Sequence, residues 1–294
     1  MYLSLQEIID LEQETGIPFW ELIRREECEE TKISPEKLFE QMRNMYREMK
    51  QADADYDPSL RSHSGLAGAD GQKMAAARQN RELLCGDFIN RVMEKALKMG
   101  ESNACMRKIV AAPTAGSCGV LSAVLLTMEE QKKIPEEKMV EALFVAAGIG
   151  GVIARKATLA GAAGGCQAEI GAASSMAAGA AVYLMGGNGE AISHGAALAM
   201  KGLLGLVCDP VAGLVEVPCI KRNVIGAVNA LTSADMVLAG IRSRIPADEV
   251  FDAMRQVGRA LPEELRETAR GGLAVTPTGK NIREMLEEGS PDGY

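Results

Sequence analysis

Three cysteines are the residues of this chain best spaced to do chemistry. Cys166, Cys208 and Cys219 lie in GAAGGCQAEIG, GLVCDPVAGLVEVP and PCIKRN. Between the first two lie 41 residues, and between the last two 10. Each cysteine stands beside glycine or proline, where regular structure breaks. Thiolates at chain breaks, with backbone N–H groups free to point at them, suit metal or cluster ligation. No CxxC pair occurs, so the short paired spacing of a closed zinc site is missing. Three thiolates on a four-iron cluster would leave one iron open, and an open metal position is a catalytic feature. On spacing alone, buried cysteines acting as small hydrophobes remain the simpler reading.

The neighbouring residues shift that balance. SHSGLAGADG, APTAGSCGV, GCQAEIGAASSMAAGA, LGLVCDPVAGLVEVPCIKRN and GGLAVTPTG follow one another from about residue 57 to 279. Together they resemble the alpha chain of the iron–sulfur-dependent L-serine dehydratases. Five separated blocks in one order are more specific than any single block. The resemblance implies a [4Fe-4S] cluster held by Cys166, Cys208 and Cys219. It implies a lyase of amino-acid degradation that turns L-serine into pyruvate and ammonia. It makes Ser62, His63, Ser64 and Gly65 candidates for the substrate site, and Thr114, Ala115, Gly116 and Ser117 candidates for binding the substrate carboxylate. It also implies a separate beta subunit in a hetero-oligomer, and admits a monovalent cation such as potassium. Family members often carry Asn-Ala-Ser where this chain has Lys156-Ala157-Thr158. The SPDGY end carries none of the tail cysteine found in some single-chain relatives, so no tail is expected to block the cluster.

Read without the family, several of these residues are ordinary. His63 is one of two histidines, in a long polar segment over 52–73, and alone would pass for a surface histidine. A loop of that length is nevertheless more often functional than not. The Pro113–Ser117 turn precedes an apolar helix, so free N–H groups and a helix dipole meet there. A plain loop-to-helix junction would look the same. The reaction needs a general base within reach of Cα–H. His63 is the first candidate and Lys156, with a depressed pKa, the rival. His194 ranks below His63. Arg222 could offset cluster or substrate charge, or belong with Lys221 to a solvated basic pair.

Composition sets the frame that must position these groups. The chain is 47% hydrophobic and only 4% aromatic. Such a core of Ala, Leu, Ile, Val and Met favours packed helices over a sheet. No βαβ rhythm is visible. The expectation is a mainly α single domain over 1–294, with a charged helical layer at 1–55 and a catalytic core at 56–285. A net charge of −8 argues against a nucleic-acid binder. Seven cysteines without a secretory leader point to a reducing cytoplasm. Ile170–Gly189 is uncharged but rich in Ala, Gly and Ser, which suits a buried helix better than a membrane span.

The helix expectations are specific. A capping box at Ser4 and Glu7 starts the first helix, and Pro18 and Ser34-Pro35 start the next two. Further helices are expected over 79–99 with Cys85 in the core, and from Cys118. One more runs from Pro135 to a break at Gly148–Gly151, and another follows over Val152–Leu159. Others should start at Ser193, at about Val224, at Pro246 and at Pro262. Cys28 should be exposed. Three other functions compete: a lyase acting on another β-substituted amino acid such as cysteine, a non-catalytic metal-binding scaffold subunit, and a pyridoxal-phosphate dehydratase.

Overall fold

Residues 2–80 and 83–288 of the chain are described by a computed structural model. They form 13 α-helices and no strand, 72% helical in all. The mainly α expectation therefore holds. Three helices, α1 (Leu5–Thr15), α2 (Phe19–Thr31) and α3 (Pro35–Ala54), make up the charged N-terminal layer. Ser4 caps α1 by accepting from the Glu7 amide at 3.1 Å. The other half of the expected box is shifted: the Glu7 carboxylate accepts from the Leu3 amide rather than from Ser4. Gly16, in the left-handed region at φ 71°, closes the helix. Ser34 and Pro35 start α3 as expected.

Next come α4 (Asp70–Asn80), α5 (Gly86–Ala104), α6 (Cys118–Lys132) and α7 (Glu136–Lys156). Two expectations fail here. The helix over 79–99 is split, since α4 ends at Asn80 and α5 begins only at Gly86; Arg81 and Glu82 lie outside the described residues. Leu84 and Cys85 are exposed between the two, so Cys85 is not core. No break occurs at Gly148–Gly151 either, because α7 runs through it. These glycines serve packing instead. A Cβ at Gly148 would stand 2.6 Å from Ile23 of α2, and one at Gly150 would stand 3.1 Å from the Met176 sulfur. Cys28, expected on the surface, is half-buried against the core.

A four-residue turn, α8 (Gly161–Gly164), leads into α9 (Ile170–Leu184). Every residue of α9 from Ile170 to Val182 is buried. It is the axis of the core, packed against α6, α7, α10 (Gly189–Lys201) and α11 (Cys219–Leu238). Its small residues allow close approach, and its serines satisfy backbone on neighbouring helices. Ser174 Oγ donates to the Gly226 carbonyl at 2.8 Å and Ser175 Oγ to that of Ala196 at 3.0 Å. Among the described residues, no helix is long and apolar enough to cross a membrane.

Asn188 caps α10. That helix starts before Ser193, so His194 lies in its middle rather than at its start. Helix α11 begins at Cys219, ahead of the expected Val224. Helix α12 (Ala247–Ala260) starts after Pro246 as expected. The helix expected from Pro262 is only a 3₁₀ turn at Glu263–Leu265. Thr276, three residues before Gly279, accepts from the Gly279 amide at 3.1 Å at the start of α13 (Pro277–Glu288).

Near the site, helices meet closely at Gly119 of α6. A Cβ there would meet the Ala96 carbonyl oxygen at 2.7 Å and the Asn223 Oδ1 at 3.0 Å. A backbone carbonyl cannot rotate away as a side chain can. Gly119→Ala should therefore cost about 1–3 kcal/mol by overpacking. Urea denaturation measures this; an unchanged midpoint would contradict the close approach.

Candidate active site

The three chain breaks expected at the cysteines converge on one buried region. Cys166 opens a 3₁₀ turn after Gly165, which has φ 75°. A Cβ at Gly165 would stand 2.6 Å from Leu261 and 2.9 Å from the Leu206 carbonyl, so glycine is required on both counts. Cys208 is held by an isolated bridge to Arg266: its amide donates to Leu265, and its carbonyl accepts from the Glu267 amide, both at 2.8 Å. Cys219 is the first residue of α11, after the cis peptide bond to Pro218. All three are free and buried, at 3%, 3% and 9% relative exposure.

Their electrostatics shows that they are neighbours. Burial pushes the Cys166 thiol up to about 11, against the lowering effect of Arg222. Burial and then the charge of Cys166 push Cys219 up to about 12. Cys208 is raised by burial and by both other cysteines. The cation beside them is Arg222. Its guanidinium donates to the Val207 carbonyl at 2.8 Å and pairs with Asp209 at 2.9 Å. Asp209 in turn accepts from the Leu273 amide at 2.8 Å. A Cβ at Gly272 would fall 2.4 Å from the Asp209 carboxylate, which gives the GGLAV block a physical reason.

Among the described residues, no set of three or more His, Cys, Asp or Glu side chains is arranged around a single metal ion. A four-iron cluster places one thiolate on each of three irons and does not need three sulfurs around one point. Three free, buried, mutually coupled thiols beside one guanidinium fit such a cluster by donor chemistry.

Two polar side chains fix this geometry. Gln167 is fully buried. Its amide donates to the carbonyls of Gly164 and Met254 at 2.9 and 3.1 Å, and accepts from the Gly205 amide at 2.9 Å. One side chain thus joins the Cys166 turn, the segment before Cys208, and α12. Asn223 does the same for the turn before α6: it donates to the carbonyls of Gly116 and Cys219 and accepts from the Gly119 amide.

That turn follows a cis Ala112–Pro113 bond. Thr114 and Ser117 cap each other there, with their hydroxyls 3.0 Å apart. Thr114 Oγ1 also donates to Glu169 at 2.8 Å. Glu169 lies three residues past Cys166. Its carboxyl is pushed up chiefly by burial and further by Glu267. The candidate carboxylate-binding turn and the cysteine region are therefore in direct contact.

The other candidates are placed as follows. Ser62 is buried, and both Ser62 and Ser64 donate to the Glu216 carboxylate at 2.7 Å. His63 and Gly65 are exposed on the same loop. Glu216 stands three residues before Cys219, so this loop too reaches the cysteine segments. Lys156 does not join the group through any contact of its own. Its Nζ faces Asp248 at 3.8 Å and Asp252 at 3.7 Å on α12. His194 pairs loosely with Glu190 at 3.7 Å. Glu169, Gln167, Asp209, Glu216 and Asn223 were not among the sequence candidates. All five sit inside the motif blocks themselves, and this was the signal that could have found them.

Residues 14–274 match the family model described as the serine dehydratase alpha chain. The chain belongs to that family. It is 44% identical to the probable L-serine dehydratase alpha chain of Bacillus subtilis, over 99% of this chain and 97% of that one. It is 40% identical to the L-serine dehydratase alpha chain of Peptoniphilus asaccharolyticus, over 98% and 100% of the two chains. The L-serine dehydratase of Streptomyces coelicolor is 36% identical over 92% of this chain, but only 60% of that longer protein is covered. The serine dehydratase blocks are thus the same segments that converge in three dimensions.

The raised thiols give this site a pH signature in the metal-free chain. The folded state holds the Cys166 and Cys219 protons to about 11 and 12, above the ordinary thiol value of 9. A folded pKa above the unfolded one gives stability that is complete below pH 9 and is lost as pH rises through the folded values. Between about pH 8 and 10.5, stability should fall by on the order of 4 kcal/mol more in the native sequence than in a C166A/C219A chain, roughly 2 kcal/mol for each thiol. Equal urea profiles for the two would contradict the shared burial.

Proposed function

We propose that this chain is the alpha subunit of an L-serine dehydratase, which converts L-serine to pyruvate and ammonia with a [4Fe-4S] cluster on Cys166, Cys208 and Cys219. The observation that carries the reading is the gathering of three free, buried thiols, from three separate motifs, beside the fixed guanidinium of Arg222. When bound, the cluster supplies a Lewis-acid position for the substrate hydroxyl, which is otherwise a poor leaving group.

The chain's own residues handle the rest. The Ala115–Ser117 turn leads directly into α6, where a carboxylate gains from the positive end of the helix dipole. A carboxylate held there fixes Cα against a base. His63 takes the Cα proton in this reading, since it is accessible on a loop anchored beside Cys219. Lys156, the rival, is engaged by two aspartates of α12. Arg222 balances charge at the thiolates rather than reaching outward. Elimination yields aminoacrylate, whose imine tautomer hydrolyses without further help.

A second reading of the proton step has one specific support. Glu169 is a buried carboxyl with a raised pKa that touches the candidate carboxylate turn through Thr114. Burial that raises a carboxyl's pKa makes it better able to carry a proton.

A separate beta chain is part of the proposal. Relatives named alpha chain match end to end, while a relative named simply L-serine dehydratase is longer. A cytoplasmic location and a monovalent cation such as potassium belong to the same reading. Comparing pyruvate formation from serine, threonine and cysteine separates serine dehydration from a lyase acting on cysteine.

Cys166→Ala, purified without oxygen, should keep its helical circular dichroism and lose iron, sulfide and turnover together. Zinc, or no metal, in the wild-type enzyme would favour a scaffold subunit instead. His63→Ala should retain iron and sulfide and lose at least about 100-fold in kcat. Near-normal turnover in that variant, with a comparable loss in Glu169→Gln, would move the proton step to Glu169.

A further inference from the structure

The loop that carries His63 is held by an interaction that the reaction does not itself require. Glu216 is a carboxylate only 6% exposed. One of its oxygens accepts from both Ser62 Oγ and Ser64 Oγ at 2.7 Å. Each serine in turn accepts from the loop backbone: the Ala67 amide donates to Ser62 Oγ at 3.1 Å, and the Leu66 amide to Ser64 Oγ at 3.0 Å. The Ser62 amide closes the loop on the Ala67 carbonyl at 3.0 Å. The result is a continuous relay from backbone N–H through two hydroxyls to one carboxylate. Such a network is strong when complete, and leaves a buried charge unpaired when cut.

The placement of this carboxylate matters. Glu216 lies three residues before Cys219, and its own carbonyl accepts from the Ile220 amide at 3.1 Å in the first turn of α11. Two residues after Cys219, the Lys221 ammonium pairs with Asp70 at 2.6 Å, at the far end of the His63 loop. Glu101 of α5, 1% exposed, holds that same end by accepting from the amides of Asp70 and Gly71 and from the Tyr56 hydroxyl. The start of α11 therefore grips the loop on both sides of the cysteine. His63, between the two stapled serines, is left on the exposed side.

We propose that Glu216 is a positioning residue that locks the Ser62–Ala67 loop, and with it His63, onto the segment bearing Cys219. In this assignment Ser62 and Ser64 anchor the loop and do not contact substrate. The catalytic consequence rests on the dehydratase reading above, with His63 as base; the structural lock does not.

The test uses the anaerobically purified enzyme with its beta chain, and two variants, Glu216→Ala and the volume-conserving Glu216→Gln. Hydrogen exchange of residues 62–67 should accelerate at least tenfold in Glu216→Ala, with iron and sulfide per chain unchanged. The kcat for serine should fall at least tenfold in the same variant. Glu216→Gln keeps one acceptor oxygen and should recover part of both effects. In a Ser62→Ala/Ser64→Ala background, removing Glu216 should cause no further change in exchange or kcat, because its partners are already gone. Unchanged exchange at 62–67, or fully additive effects in that background, would overturn the lock. So would loss of iron with the loop still protected. If the wild type holds no iron and makes no pyruvate, the dehydratase reading fails, while the exchange measurements still decide the role of Glu216.

Discussion

Burying three thiols against one another is the constraint that shapes this protein. A thiol taken out of water resists ionisation, and each neighbour that ionises makes the next harder. The guanidinium of Arg222 stands beside them, and two partners, Val207 and Asp209, hold it still. Everything nearby can be understood as keeping three loop-borne sulfurs in a fixed arrangement without the help of a sheet. An all-helical core does this by letting loops end where helices begin. Cys219 opens α11, Cys166 lies just before α9, and Cys208 lies between α10 and α11.

Because loops cannot hold their own geometry, their backbone groups are satisfied by side chains from elsewhere. Gln167 ties the first cysteine segment to the second and to α12. Asn223 ties the third cysteine segment to the turn before α6. Asp209 ties the second segment to the GGLAV block, and Glu216 ties the third to the histidine loop. Four of the five motifs thus supply a polar side chain that meets another motif, and the GGLAV block supplies the Leu273 amide. The five blocks therefore depend on one another physically.

The same dependence sets what could be read from the sequence. Local signals were legible: the Ser4, Ser34 and Pro246 helix starts, and the buried nature of the Ala/Gly/Ser run that became α9. So were the three cysteines, since glycine and proline mark chain breaks. Glycine misled where its purpose was contact rather than conformation. Gly148 and Gly150 looked like a break, yet they sit inside α7 to admit Ile23 and Met176. Leu83, Leu84 and Cys85 carried a helical pattern into a real interruption, because periodicity cannot reveal that α4 and α5 are separate helices. The partners of Gln167, Glu169 and Glu216 lie up to about 150 residues away, at distances no spacing rule covers. Their type was visible, but their role was not.

The cysteines are raised not only by burial but also by Glu169, which acts on all three, and by Glu267 at Cys208. Glu169 and Glu267 themselves flank Gly161, where a Cβ would meet their oxygens at 2.8 and 3.1 Å. Against these potential anions stands Arg222, which lowers the Cys166 and Cys219 values. A site whose donors are all neutral or negative, and all desolvated, is poor ground for thiolates unless a cationic centre sits among them. Metal ions invert this logic by making deprotonated sulfur the favoured form. The features that make these residues an unfavourable set of free thiols are the same features that would make them a well-prepared set of ligands.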